Sequence, residues 1–228
     1  MTTLIEKIRS RGSWTIRIRP IEFEAHRVDR LAQLVDAVQT SRVELRGWDF
    51  PHIDPNTVPV RMSEYVEQQT DWEQYVELWR AYKSGQFISV SGMSCDWRDQ
   101  SKTLWPAEPG WRSGTSLSAE SSIFRFVEAF EFAAKWTRAV PVGEEMSVSV
   151  KVAGLRDRAL QLSPDRMASR FNYTSSVDEF TWEEQYSTSA VFSSPRENAV
   201  EPATELFELF GLDIDKSFIR DMQAKLLG

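Results

Sequence analysis

The chain has 228 residues, and its 27 Lys and Arg against 34 Asp and Glu give a formal net charge of −7 at pH 7. This acidic balance excludes a uniformly basic nucleic-acid coat but not a local basic patch. One Cys and two His exclude a disulfide framework and a cysteine-built or histidine-rich metal site. Nine Trp and 13 Phe supply ample material for a hydrophobic core.

No run of about 18 apolar residues is present, so we expect no membrane-spanning helix. Residues 1–11 alternate charged and apolar side chains, unlike the unbroken apolar core of a signal peptide. A lone thiol without an export signal predicts a cytoplasmic protein.

The N-terminal half predicts a mixture of helices and strands. Thr70 and Glu73 have the spacing of a capping box, which predicts that a helix begins there and ends at Gly85. Helices are also predicted at residues 4–11 and 27–38, strands at 14–18, 43–45, 65–69 and 87–90, and loops at 48–59 and 95–118.

The C-terminal half predicts a buried helix capped by Ser118, then strands, then two helices. The predicted elements are a helix at residues 119–138, a strand at 146–152 with its hairpin partner at 160–162, a long strand at 180–192, and helices at 195–211 and 215–227.

This order predicts an α+β fold: a single mixed or antiparallel sheet with packed helices and a C-terminal helical hairpin. We expect residues 1–194 to form the α+β domain. Residues 195–228 would form the hairpin, packed on that domain or on a partner.

Enzymatic chemistry has weak candidates in this sequence. The phosphate-binding glycine motifs and the G-x-S-x-G motif are absent. Cys95 could form a nucleophilic dyad with His26 or His52, but a small buried residue at a strand end is the better explanation, because no family signature surrounds this Cys. A metal-dependent hydrolase would use loop carboxylates such as Asp99, together with Glu184.

Glu184 shares its strand parity with Phe180, Trp182 and Tyr186, so its carboxylate could point inward. The alternatives are a bulge that turns Glu184 to solvent, or an ion pair with an arginine.

Nucleic-acid binding has one local signal. Residues 1–30 contain seven basic and four acidic side chains. Arg17 and Arg19 share one strand face, where they could contact phosphates. The alternative is a solvated face that pairs with acidic neighbours.

Protein binding has the broadest support, because Trp and Arg are enriched at interface hot spots. Four tryptophans and one arginine fall in predicted loops: Trp48, Trp97, Arg98, Trp105 and Trp111. The alternative is that these side chains fold the loops onto their own domain.

The segment Leu45 to His52 is the best local candidate for a binding site. Gly47 and Pro51 predict a turn, and Arg46, Trp48, Asp49 and His52 could hold a ligand through charge, stacking and a switchable donor. They could equally lock the loop internally.

Two motifs together resemble a prokaryotic domain family of uncharacterised function. They are Gly12-Ser13-Trp14 with Ile18-Arg19-Pro20 and Glu22-Phe23, and Leu45-Arg46-Gly47-Trp48-Asp49-Phe50-Pro51-His52. The similarity extends through residues 72–85 to Asp96-Trp97-Arg98-Asp99. Such domains are sometimes found beside AlbA-like or Schlafen-like DNA-binding modules. The resemblance implies a role beside a bacterial nucleic-acid-handling or antiviral defence system, and it assigns no catalytic residue.

The leading hypothesis is a non-catalytic binding or assembly subunit that acts with a protein partner and needs no cofactor; a homo-oligomer is compatible with it. The alternative is a nucleic-acid-binding protein that uses Arg17 and Arg19. A metal-dependent hydrolase is the third hypothesis.

Overall fold

The computed structural model describes residues 2–98, 112–162 and 173–228. Its strands are β1 (Ser13–Pro20), β2 (Val60–Arg61), β3 (Tyr65–Trp72), β4 (Tyr75–Tyr82), β5 (Phe87–Gly92), β6 (Ser116–Ser118), β7 (Glu145–Ala153), β8 (Ala159–Gln161) and β9 (Glu179–Ser187). Seven of them form one antiparallel sheet in the order β2-β3-β4-β5-β1-β7-β9. The short strands β6 and β8 pair in parallel as a separate sheet. The predicted α+β class and antiparallel sheet are confirmed.

The helices cover both faces of this sheet. They are α1 (Leu4–Arg9), α2 (Leu31–Ser41), α3 (Ser94–Trp97), α4 (Ala119–Ala139), α5 (Thr188–Ser193), α6 (Pro195–Asn198), α7 (Val200–Glu208) and α8 (Lys216–Leu227). The long helix α4 lies in the main core, where Ile123, Phe126 and Phe130 are fully buried. On the opposite face, Ile8 of α1 packs with Val76 and Val90.

The C-terminal helices α7 and α8 pack against each other and against α4. Leu206, Phe207 and Ile219 are fully buried in the main core. The apolar stripe of the last helix is therefore buried within its own chain. None of the helices in the described ranges combines the length and the apolar character that a membrane span requires.

Two helix starts follow the capping chemistry of the sequence. The Ser118 hydroxyl accepts the Ser121 amide at 3.2 Å before α4, and an Asp215 carboxylate oxygen accepts the Ser217 amide at 2.7 Å before α8. Both caps satisfy amide groups that have no partner within the helix.

The predicted helix over residues 70–85 is wrong, because this segment forms the β3–β4 hairpin. Glu73 lies in its turn with φ of 50°, so it caps no helix. β4 is covered on both faces: Val76 packs against α1, whereas Trp79 packs into the main core. Apolar residues therefore occupy both strand parities, and their spacing imitates that of a helix.

Three shorter predictions also need correction. The strand at 43–45 is reduced to one bridge between Val43 and Phe50. The hairpin partner of β7 is not the 160–162 segment, because β9 pairs with β7 and β8 pairs with β6. The strand predicted at 180–192 ends at Ser187, where the Ser187 hydroxyl caps α5.

The core face of the sheet is apolar at β1 and β7 but polar at the β3–β5 end. The strand register places Thr70 beside Glu77 and Glu77 beside Ser91, on the same face as Trp79. All three polar side chains are buried. This polar patch is the part of the core over which residues 42–59 fold.

Candidate functional site

The loop that carries the predicted site is anchored at its base. Val43 and Phe50 exchange two backbone hydrogen bonds of 2.8 and 2.9 Å, and Phe50 is fully buried. Trp79 of β4 donates its indole N–H to the main-chain oxygen of His52 at 2.8 Å. These contacts fix residues 50–52 on the sheet, and the residues between the two bridge partners project from that base.

Trp48 is the centre of an aromatic stack. Its ring lies 3.6 Å from the His52 ring and 3.8 Å from the Tyr75 ring, measured between centroids. Trp72 is nearly parallel to both Trp48 and Tyr75 at about 6 Å and is 56% exposed. The stack therefore runs from a half-buried slot to an open aromatic surface.

A buried carboxylate lies at the edge of the Trp48 ring. The Trp48 indole N–H donates to Glu77 Oε1 at 2.9 Å, and Glu77 is only 3% exposed. Burial raises the pKa of Glu77, and the charge of Arg125 and the Trp48 hydrogen bond only partly oppose that rise. Glu77 therefore holds a proton to a higher pH than an ordinary glutamate does.

Asp49 and His52 form a hydrogen-bonded pair beside the stack, with His52 Nδ1 2.5 Å from Asp49 Oδ1. Burial acts to raise the pKa of Asp49, but the hydrogen bond and charge of His52 outweigh it, so the pKa lies below its ordinary value. Asp49 also accepts the Ile53 amide at 3.3 Å. The pair orients the His52 ring against Trp48.

Arg46 ties the tip of the loop to α4. Its Nε and Nη2 donate to the two Glu128 oxygens at 2.6 and 2.9 Å, and Glu128 is 1% exposed. Arg125 Nη1 lies 3.5 Å from Glu128 and is buried without a hydrogen-bond partner among the described residues. Two guanidinium groups therefore share one buried carboxylate.

The structure thus brings together all four residues that the sequence singled out in this segment: Arg46, Trp48, Asp49 and His52. The sequence did not indicate the floor of the site, which consists of Thr70, Glu77, Ser91 and Arg125, or the Tyr75 ring that forms one of its walls. Correct assignment of β4 as a strand would have been the signal for Glu77, because the strand register places it on the core face.

Trp97 has an internal partner rather than a free ring. The Arg11 guanidinium lies 4.4 Å from the centre of the Trp97 ring and donates to the Asp96 main-chain oxygen. Gly92 leaves room for the Trp97 indole. Arg98 is exposed. Trp105, Trp111 and Asp99 lie outside the described residues.

Cys95 lies in a buried charged cluster. Burial, with the nearby charge of Asp96, raises the pKa of the Cys95 thiol to about 12. Arg158 forms two hydrogen bonds with Asp96, of 2.7 and 2.5 Å, and Asp96 also accepts the Gly12 amide. Within residues 2–98, 112–162 and 173–228, no group of three His, Cys, Asp or Glu side chains is placed to hold a metal ion.

Glu184 lies opposite Val148 in a regular β7–β9 ladder, so the predicted parity holds without a bulge. Its side chain is nevertheless exposed. The reason is that β9 is the last strand in the described sheet, so a side chain on its core-facing side can still be exposed to solvent. Glu184 is therefore not a buried carboxylate.

Arg17 and Arg19 are exposed on the face of β1 that is turned away from α4. Arg19 Nη2 donates to Glu183 Oε1 at 2.9 Å, and Glu183 also accepts the Ser147 hydroxyl at 3.1 Å. Arg19 is thus paired with an acidic neighbour, which lowers the positive charge available to a phosphate.

No protein-family model, no curated protein and no solved structure matches the chain. The resemblance carried by the two sequence motifs therefore stays a prediction.

Proposed function

We propose that this chain is a non-catalytic binding subunit that docks onto a protein partner through the β2 side of its sheet. The docking residues would be Val58, Val60, Met62 and Trp72, named here the β2-edge surface. The resemblance supports a partner in a bacterial nucleic-acid-handling or defence system.

The distribution of exposed apolar side chains is the observation that carries this proposal. Val58 is 80% exposed, Val60 56% and Met62 47%, and Trp72 ends the adjacent strand β3. These are four of the seven large apolar side chains that are exposed among the described residues. In the strand register Val60 lies beside Glu67 on one face of the sheet, whereas Trp72 lies beside Tyr75 on the other face, so the partner would have to contact both sides of this edge. Exposed apolar side chains are typical of protein interfaces, and Trp is enriched at their energetic centres.

Side chains, rather than the strand backbone, would make the contact. Met62 donates its amide to the Tyr65 oxygen at 2.9 Å, toward β3. Because amide direction alternates along a strand, the amide positions of Arg61 and Pro59 face away from the sheet. Pro59 has no N–H to donate, so continuous strand addition at this edge is disfavoured.

The other two hypotheses have less support. The Cys95 thiol is held protonated, and Glu184 lies exposed at a sheet edge. Arg19 of the N-terminal arginine pair is engaged by Glu183. Neither arrangement converges on a reacting atom or a phosphate.

The test is an affinity pull-down of tagged protein from its own cells, with and without nuclease, for wild type and the double variant Val60→Lys/Met62→Lys. Val177→Lys is the matched control, since Val177 is exposed but lies just before β9. The proposal predicts a stoichiometric protein that survives nuclease, is lost with the double variant and is kept with the control. Retention by the double variant, or loss on nuclease treatment, contradicts it.

A further inference from the structure

The floor beneath Trp48 has more hydrogen-bonding capacity than Trp48 uses. Indole offers one N–H, which Glu77 accepts. The hydroxyls of Thr70 and Ser91 flank Glu77 in the strand register and make no hydrogen bond to any residue in the described ranges. Arg125 Nη1, whose charge acts on Glu77, lies 3.5 Å from Glu128 but makes no hydrogen bond within those ranges.

A floor of this kind stabilises a packed indole less than an apolar floor would. A buried polar group without a partner costs free energy that an apolar side chain of the same size would not cost. Across the sheet, the residues that follow Thr70, Glu77 and Ser91 on the same face are the apolar Trp14 and Val152. Among the floor atoms Arg125 Nη1 is buried without a hydrogen bond, and two further hydroxyls are available beside Glu77, which indicates an occupant richer in polar atoms than Trp48.

The walls of the slot select a flat ring. His52 and Tyr75 contact opposite faces of the Trp48 indole, at 3.6 and 3.8 Å between centroids. Both walls stay in place without Trp48: Tyr75 belongs to β4, and His52 is fixed through Trp79 and Asp49. A planar ring with N–H groups on one edge would meet the same stacking surfaces and the same carboxylate.

The loop segment that carries Trp48 is attached mainly by polar contacts. Arg46 binds Glu128, Arg42 lies 3.6 Å from Asp49, and Gly47 has open space where a side chain would be. The base of the loop, at Val43 and Phe50, is buried separately. Trp48 can therefore leave the slot by exchanging polar contacts with water while the base remains anchored.

We propose that Trp48 is the resident occupant of a binding slot for a purine-type base, and that guanine displaces its indole. Guanine offers a ring N–H and an adjacent amino group to one carboxylate, here Glu77, and a carbonyl oxygen to a guanidinium, here Arg125. Thr70 and Ser91 would serve the remaining ring nitrogens. This inference does not rest on the β2-edge surface, although Trp72 of that surface stacks on Trp48 and Tyr75.

The test is isothermal titration of the full chain with guanosine and, separately, adenosine, for wild type, Trp48→Ala and Glu77→Gln. Wild type should bind guanosine saturably, and at least ten times more tightly than adenosine, which lacks the ring N–H. Trp48→Ala should bind guanosine at least tenfold more tightly than wild type, because the competing indole is gone. Glu77→Gln should lose at least tenfold, whereas Glu73→Gln, an exposed control in the neighbouring turn, should not change.

Trp48→Phe covers the case in which Trp48→Ala does not fold, since it keeps a ring but removes the N–H that holds Glu77. It too should bind guanosine more tightly than wild type. Binding by the Trp48 variants but not by wild type would show that the substitution merely created a hole, and would overturn the proposal. Equal binding of guanosine and adenosine, or an unchanged Glu77→Gln affinity, would also overturn it.

Discussion

Trp48 reaches from a surface loop to the core face of the sheet, where its indole N–H meets the carboxylate of Glu77 at 2.9 Å. The two residues lie far apart in the chain, and Glu77 is buried on the core face of a central strand. This contact joins the segment that the sequence singled out to a polar floor that the sequence did not reveal.

The first prediction concerns the pH dependence of stability. The folded state raises the pKa of Glu77 above the ordinary value of 4.5, so its contribution to stability is complete below that value. The contribution is lost as pH rises through the folded-state pKa, by up to about 1.4 kcal/mol per pH unit. Glu77→Gln has no such titration.

Urea unfolding of both proteins between pH 4 and 8 measures this difference. The free energy of unfolding of wild type should fall relative to that of Glu77→Gln as pH rises. Parallel pH profiles would show that Glu77 does not titrate differently in the folded protein.

The second prediction concerns the pair that holds the loop tip. Arg46→Ala leaves Glu128 buried with only the distant contact to Arg125, so we expect a loss on the order of 2–3 kcal/mol in the free energy of unfolding. Arg19→Ala breaks an exposed pair with Glu183 and should cost no more than about 1 kcal/mol. Chemical denaturation of both variants checks the ranking, and equal losses would contradict it.

The third prediction concerns the close approach of Trp97 to β5. A methyl group at position 92 would overlap the Trp97 indole nitrogen, so Gly92→Ala should push this ring from its place against α1 and cost about 1–3 kcal/mol. Gly47→Ala is the control, because its new methyl group meets no atom within 4 Å. Thermal unfolding should show a clearly lower Tm for Gly92→Ala alone.

The fourth prediction concerns the single thiol. Because the pKa of Cys95 is raised to about 12, almost no thiolate is present at pH 8. Folded protein should therefore react with a disulfide reagent far more slowly than the same protein in denaturant. Rapid reaction of the folded protein would mean that Cys95 is accessible and ionised.

The sequence predicted those elements in which only one face meets the core. In β1, Trp14, Ile16 and Ile18 are buried while Arg17 and Arg19 face solvent, so the alternation is plain. In β4, Val76 and Trp79 are buried on opposite faces, and the alternation disappears. Because α1 covers the outer face of β4, this strand has apolar residues at both parities, and for that reason the sequence predicted a helix there.

The candidate site, too, was predicted only where local sequence signals exist. Gly47 and Pro51 mark the turn, and the side chains around them could be identified from that local signal. Thr70, Glu77 and Ser91 come from three strands, and only strand pairing places them side by side. No local pattern carries that register, so the floor of the site could not be predicted.

Hydroxyl-radical footprinting of the purified complex against the free chain shows whether the β2-edge surface contacts a protein partner. Oxidation of Met62 and Trp72 should fall several-fold in the complex, while oxidation of the exposed Phe192 stays the same. Unchanged oxidation of Met62 and Trp72 in a stoichiometric complex would contradict contact at this surface.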